Sequence, residues 1–158
     1  MAQRSNAGRF PDSAATLLAA VWMGMLVGVS FLATPVKFQA ASLDLPVALE
    51  VGRVTFAAFS KVEWALALLL GLAAFVPLRS RTHMALATIC IVIVAGQSFW
   101  LLPALDARVD AIIAGRPLPA SIHHAFYAGL ELTKAVALAG IALTALLRPR
   151  RRDGERTA

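Results

Sequence analysis

Two lysines and two glutamates lie in segments of the sequence that are otherwise apolar. Lys61 and Glu63 lie in FSKVEWALALLLGLAAFV, and Glu131 and Lys134 lie in a similar stretch further along the chain. A charged side chain at the centre of a membrane-spanning helix costs about 2.5 to 3.5 kcal/mol on insertion scales. We therefore expect this polar centre to face a bundle interior, where ionisable groups mark pathways and proton relays.

Helix geometry limits how these four side chains can pair. Glu131 and Lys134 are three residues apart and share a helix face. Lys61 and Glu63 point in nearly opposite directions, so they cannot pair directly. The spacing predicts that Lys61 pairs with Glu131 and Glu63 with Lys134, clamping two helices together. Alternatively, Glu63 or Glu131 is protonated and carries a proton. A structural lock and a functional centre both remain open.

A second polar set, which we expect on the outer side, opens the last apolar segment. His124, Tyr127 and Glu131 follow at intervals of three and four, which places them on one helix stripe. This stripe is a candidate proton path from the outer surface. His123 and His124 point about 100° apart on a helix, which favours anchoring at the membrane surface. His124 is nevertheless the candidate ligand if the protein binds haem or copper; otherwise the sequence predicts no cofactor.

Four long apolar segments carry these residues. The chain has 158 residues, of which 59% are hydrophobic and 15% charged, and its mean hydropathy is +0.72. About 20 apolar residues suffice to cross a bilayer. The sequence therefore predicts an all-α, four-transmembrane-helix bundle, with spans near residues 14–34, 54–78, 84–102 and 122–147. Pro35 and Pro103 are expected to end the first and third spans.

The distribution of arginine predicts the orientation of this bundle. A basic N-terminus (1–13) and an Arg-rich tail (148–158) flank the membrane domain (14–147). The positive-inside rule places both termini in the cytoplasm, with the protein in the inner membrane and the lipid bilayer as its first partner. No basic face with interleaved aromatic residues exists, which argues against nucleic acid.

The chain also resembles itself when it is shifted by 68 residues. SFLATP at Ser30 aligns with SFWLLP at Ser98, and Glu63 aligns with Glu131, without a gap. We interpret this as two parallel two-helix repeats, 14–78 and 84–147, related by an axis along the membrane normal. Glu63 and Glu131 then lie at the same depth, about 15 Å from the outer edge of their spans.

Three functions fit these features. Parallel repeats and midplane charges favour a small transporter or a transport accessory. A structural or assembly subunit that docks another membrane protein is the alternative, and Gly24 with Gly28 forms a GxxxG helix-packing motif for the bundle or for a homodimer. A haem- or metal-binding membrane enzyme is the third. No nucleophile–base pair, paired-cysteine motif or phosphate-binding loop favours an enzyme.

Several short segments resemble a known family. These are FLATPVKF, VGRVTFAAF, WLLPALDAR and the histidine before an aromatic residue that opens the last span. They resemble a small four-helix TMEM-type membrane family of unknown function, with a fainter likeness to copper-resistance and anthrone-oxygenase-like membrane proteins. The resemblance implies the four-span fold, and it implies that Pro35, Phe38, Gly52, Pro103 and His124 are pattern positions. This chain differs in carrying the four intramembrane charges.

Overall fold

This computed structural model describes residues 9–75, 81–116, 118–119 and 121–146, and in that part of the chain it contains helices and no strand. The predicted Arg-rich tail and residues 1–8 of the predicted basic N-terminus lie outside the described residues. The predicted all-α class is confirmed. Helices are expected here because a bilayer offers backbone groups no hydrogen-bonding partners, and a helix satisfies them within one segment.

The helical elements follow one another with short connections. In chain order they are α1 (Arg9–Leu26), the π-helical segment π1 (Val27–Ala33), α2 (Thr34–Lys37), α3 (Leu45–Phe75), α4 (Arg81–Gly96), the π-helical segment π2 (Gln97–Leu101), α5 (Leu102–Ile113) and α6 (His123–Leu146). Four stretches are long and apolar enough to cross a membrane: Ala14–Lys37, Leu45–Phe75, Arg81–Ile113 and His123–Thr144. We call them spans one to four.

Spans two and three are longer than predicted. Span two begins at Leu45 instead of residue 54, with the Asp44 carbonyl accepting a hydrogen bond from the Ala48 amide at 2.9 Å. Pro46 is tolerated because amides in the first turn of a helix have no partner within the helix. Span three continues to Ile113. Polar residues interrupt these extensions, so a search for unbroken apolar runs did not include them in the predicted spans.

The expectation that prolines end spans one and three is wrong. Pro35 and Pro103 each lie in the first turn of an α-helix that directly continues a π-helical segment. In the wider π turn, the amide of residue i donates to the carbonyl of residue i−5. Here the Thr34 amide donates to the Val29 carbonyl, and the Thr34 hydroxyl donates to the same oxygen. This change of register accommodates a residue without an amide hydrogen, so the helix continues.

The four spans form a ring in chain order. Each span packs against the next, and span four closes the ring against span one. Spans two and four therefore lie on a diagonal of the ring. The core is filled by fully buried side chains, among them Trp22, Leu70, Leu138 and Ile141. Because lipid tails are as apolar as leucine, close packing and polar contacts stabilise such a bundle more than the hydrophobic effect does.

The predicted packing role of Gly24 and Gly28 within the bundle is wrong. A Cβ atom added at either glycine would have no other atom within 4 Å, and Gly24 lies on the exposed surface. The motif therefore does not bring two helices of this chain together. Homodimerisation through the motif remains a prediction.

Candidate functional site: a buried glutamate–lysine centre

Three charged side chains meet inside the helix bundle. Glu131 and Lys134 are 0% exposed and Glu63 is 2% exposed. The Lys134 ammonium forms an ion pair with Oε1 of Glu63 and lies 2.7 Å from Oε1 of Glu131. We call these three residues the buried centre. It joins span two to span four across the diagonal of the ring.

Span one contributes to this centre through two hydrogen-bond donors. The Trp22 indole donates to Oε1 of Glu63 at 3.1 Å, and the Ser30 hydroxyl donates to Oε2 of Glu131 at 2.8 Å. Trp22 is fully buried on α1, and Ser30 lies in π1. One span therefore holds both carboxylates, which fixes the distance between them.

Span three contributes Gln97, the first residue of π2. Its side-chain amide donates to Oε1 of Glu131 at 2.9 Å. Its own carbonyl oxygen is buried and has no hydrogen-bond partner among the described residues. Both π-helical segments thus supply a donor to the same carboxylate. Single-turn π segments often occur at functional sites, because the wider turn redirects one side chain.

The stripe predicted on α6 starts at the surface and ends in the centre. His124 is exposed, whereas Tyr127 is 4% exposed and its hydroxyl lies close to the Glu131 carboxylate. The Tyr127 ring packs edge to face against Phe56, with centroids 5.2 Å apart. His123 instead bonds Ser121 through Nδ1 at 2.8 Å and stays outside the stripe.

The prediction that Lys61 pairs with Glu131 is wrong. Lys61 is exposed and has no ion pair with any described residue, while Lys134 contacts both carboxylates. The physical reason is the nearly opposite direction of residues i and i+2 on a helix: burying Glu63 turns Lys61 outward, where its long side chain can reach the membrane surface. The centre therefore contains two acids and one base.

A cavity of about 200 Å³ lies at the end of the bundle where span one ends and span four begins. We call it the end cavity. Its charged lining residues are Lys37, Arg53, Asp106 and Arg108, and His124 also faces it. Its apolar lining comes mainly from Phe38, Leu49, Phe56, Leu105, Val109 and Ile112. Because Phe56 also contacts Tyr127, this aromatic pair lies between the cavity and Glu131.

The described residues do not assemble a metal site of three or more ligands. Among the described residues, no group of three or more His, Cys, Asp or Glu side chains could hold a metal ion. His124 lines the end cavity, as does Asp106. Binding of haem or copper at His124 remains a prediction from the sequence.

Four apolar helices of spanning length define a multi-pass integral membrane protein. Residues 17–111 match the family described as a domain of unknown function (DUF4149), and because this match covers more than half of the chain, the protein belongs to that family. The match includes Trp22, Glu63 and Gln97 but not Glu131 or Lys134. It agrees with the expected family of unknown function, whereas likeness to TMEM-type, copper-resistance or anthrone-oxygenase-like proteins is not shown. No curated protein and no solved structure matches the chain.

Two parts of the site were not predicted from the sequence. The hydrogen bond from Trp22 to Glu63 joins residues 41 positions apart, and a tryptophan in an apolar span gives no sign of such a role. The end cavity was not predicted because Lys37, Arg53 and Arg108 lie far apart in the sequence and no local pattern joins them. One available signal was their position inside the segments FLATPVKF, VGRVTFAAF and WLLPALDAR, which converge on the cavity.

Proposed function

We propose that this protein is a small membrane transporter or a transport accessory whose buried centre exchanges one proton during its cycle. The observation that carries the proposal is the charge count. Within the described residues, Lys134 is the only cation that contacts either Glu63 or Glu131. Two ionised carboxylates would leave one uncompensated negative charge in a fully buried site.

One bound proton removes this net charge. An isolated charge in the middle of a bilayer is costly, by about 2.5 to 3.5 kcal/mol even on insertion scales. Glu63 and Glu131 share one ammonium, so the proton belongs to the coupled centre and not to one residue. Gln97 suits both states, because its amide can donate to a carboxylate and its unpartnered oxygen can accept from a carboxylic acid after a rotation.

The stripe on α6 supplies a route between the centre and the outer end of the bundle. His124 faces the end cavity, and Tyr127 joins Phe56 at the cavity wall to the Glu131 carboxylate. Tyr127 can pass a proton because its hydroxyl is both a donor and an acceptor. A small movement of the Phe56–Tyr127 pair would connect the cavity with the centre, which is one of the two exposures that alternating access requires.

The parallel repeat is part of this proposal. With a shift of 68 residues, the last five residues of π1 fall on π2, and Pro35 falls on Pro103. Glu63 and Glu131 are equivalent and meet on the diagonal. These coincidences support two parallel repeats about an axis along the membrane normal. We also propose that both termini lie in the cytoplasm and that the protein resides in the inner membrane.

Infrared difference spectroscopy during a pH titration tests the proton directly. The purified protein in lipid nanodiscs should show a carboxylic-acid carbonyl band that disappears in Glu63→Gln and in Glu131→Gln. Lys61→Gln is the matched control and should leave the band unchanged, because Lys61 is exposed and unpaired among the described residues. Identical titrations of the wild type and the double Gln variant would contradict proton exchange.

Vesicles then test transport. Proteoliposomes with an entrapped pH indicator should take up protons when a potential is imposed together with a panel of candidate solutes. Glu131→Gln should abolish this uptake and Lys61→Gln should retain it. If the double Gln variant also restores every growth or tolerance phenotype of a deletion strain, the transport proposal fails.

A structural or assembly subunit is the second candidate. It is favoured by the exposed Gly24 with open space around it, which leaves a smooth helix surface for a second membrane protein or another copy of this chain. In that case the buried centre only locks spans two and four. A pull-down in mild detergent that recovers the chain alone, together with a monomer in light scattering, would argue against this function.

A further inference from the structure

The cations of the end cavity differ in whether they are already paired. Arg53 forms ion pairs with Glu50 and Asp110, and Arg108 donates to the Pro119 carbonyl at 2.8 Å. These two guanidinium groups are held in place by partners from their own chain. Lys37 differs from both.

Lys37 has no carboxylate partner among the described residues. Its ammonium lies 5.0 Å from the centroid of the Phe38 ring, a cation–π contact, and rests against the backbone of Gly52. A Cβ atom at Gly52 would collide with this ammonium, so the glycine makes room for it. Lys37 is half-buried in a mostly apolar cavity, where a lone cation is costly.

The charge of the lining has the same sign as this unpaired group. Arg53 is compensated by Glu50 and Asp110 and lies close to Asp106. The positive charge of the lining that has no carboxylate partner among the described residues is therefore that of Lys37 and of Arg108, which is held by a carbonyl. Asp106 is already close to Arg53, which compensates it. An incoming anion would therefore meet Lys37 as its free partner.

We propose that the end cavity binds a small organic anion, with its carboxylate or phosphate group on Lys37 and its apolar body against Phe56 and its apolar neighbours. The volume of about 200 Å³ corresponds to roughly seven water-sized groups at about 30 Å³ each, enough for a short alkyl chain or a small ring. The site is separate from the buried centre, and its test requires no transport.

Two sources can supply this chemistry. One is a free amphipathic anion that enters from the aqueous side, and the other is the headgroup of an anionic lipid with part of its chain. Both present an anionic group attached to an apolar body, and both would be recognised by Lys37. The experiment distinguishes the two sources by changing the lipid of the nanodisc that surrounds the protein.

The probe is radiolabelled hexanoate, measured by scintillation proximity on the full-length protein in phosphatidylcholine nanodiscs. Unlabelled hexanoate should displace the label, whereas hexanol and hexylamine, which share its alkyl chain but lack its negative charge, should not. Lys37→Gln should weaken binding by about tenfold, since a charge-assisted contact is lost. Lys61→Gln, an exposed lysine in span two, should bind as the wild type does.

A second variant distinguishes the loss of the Lys37 contact from misfolding of the protein. Gly52→Ala should displace the Lys37 ammonium, because that flexible tip must move away from the new methyl group, and should also weaken hexanoate binding. Its thermal unfolding in nanodiscs should stay near that of the wild type, since only the end of a lysine side chain moves. Equal displacement by hexanol, or full binding by Lys37→Gln, would overturn the proposal.

Phosphatidylglycerol distinguishes the two sources. If nanodiscs that contain it block hexanoate binding, and native mass spectrometry finds it retained by the wild type but not by Lys37→Gln, the anion is a lipid headgroup. If hexanoate binds equally in both lipids, the anion is a free solute. If neither hexanoate nor phosphatidylglycerol binds in a way that depends on Lys37, the cavity is not an anion site.

Discussion

Lys134 lies one helical turn after Glu131, and its ammonium bridges that carboxylate and Glu63 on the diagonal span. This one side chain therefore connects Glu131 on its own helix face with Glu63, which is 71 positions away from it in the sequence. The ring of four helices is closed around it, and all three groups are buried. Because the centre has two acids and one base, removal of the base should destabilise the protein much more than removal of one acid.

Lys134→Met should strongly destabilise the bundle. Methionine has a similar length, but it leaves Glu63 and Glu131 buried without a cation, and breaking a buried ion pair in this way costs about 3 to 5 kcal/mol. Thermal unfolding in nanodiscs measures the loss. Lys61→Met is the matched control and should stay within about 0.5 kcal/mol of the wild type. The triple variant Glu63→Gln/Glu131→Gln/Lys134→Met should recover most of the stability, and equal unfolding of Lys134→Met and Lys61→Met would contradict the buried centre.

Glu131→Gln should change stability by only about 1 kcal/mol while it removes the exchangeable proton. One acid then faces one base, so the centre is neutral without a bound proton, and the remaining loss is that of weakened hydrogen bonds. Thermal unfolding and the infrared titration should be measured on the same sample. A loss of stability as large as that of Lys134→Met would contradict a centre that is neutral after this substitution.

Tyr127→Phe should slow proton exchange without unfolding the protein. The substitution removes the hydroxyl that lies close to the Glu131 carboxylate and keeps the ring that packs against Phe56. Stopped-flow pH jumps followed by the infrared band should show exchange several-fold slower than in the wild type. Phe99→Leu, at an aromatic side chain that is 77% exposed, provides the control. Unchanged kinetics in Tyr127→Phe would remove the stripe from the proposed route.

Ser30→Ala and Gln97→Leu should show coupled effects, because the two side chains donate to the same carboxylate from different π-helical segments. Each substitution removes one donor from Glu131, at a cost of about 1.5 to 3 kcal/mol for a hydrogen bond to a charged group. A double-mutant cycle measured by thermal unfolding should give an interaction energy of at least about 0.5 kcal/mol. Strict additivity would mean that the two donors act independently.

Gly24→Leu should leave the stability of the isolated bundle unchanged, since a Cβ atom there meets no neighbour within 4 Å. It therefore tests association alone. If the GxxxG motif joins two copies of the chain, size-exclusion chromatography with light scattering should show the wild type as a dimer and Gly24→Leu as a monomer. The same mass for both proteins would exclude a homodimer through this surface.

The sequence by itself determined the class of this protein. Hydropathy summed over about 20 residues reflects the transfer of a whole helix into lipid, which needs no knowledge of neighbours. It therefore indicated four spans, and it identified Glu63, Glu131 and Lys134 as side chains that need partners. The spacing of three between Glu131 and Lys134 is also local, and these two side chains do meet.

Only the tertiary structure decided which groups meet. Whether Lys61 or Lys134 serves both carboxylates depends on the order of spans around the ring and on the rotation of each helix, and these result from packing between residues distant in the chain. The continuation of helices past Pro35 and Pro103 depends on a change from α to π register that the sequence pattern does not reveal. Lys37 and Arg53 come together in the end cavity because two span ends converge there.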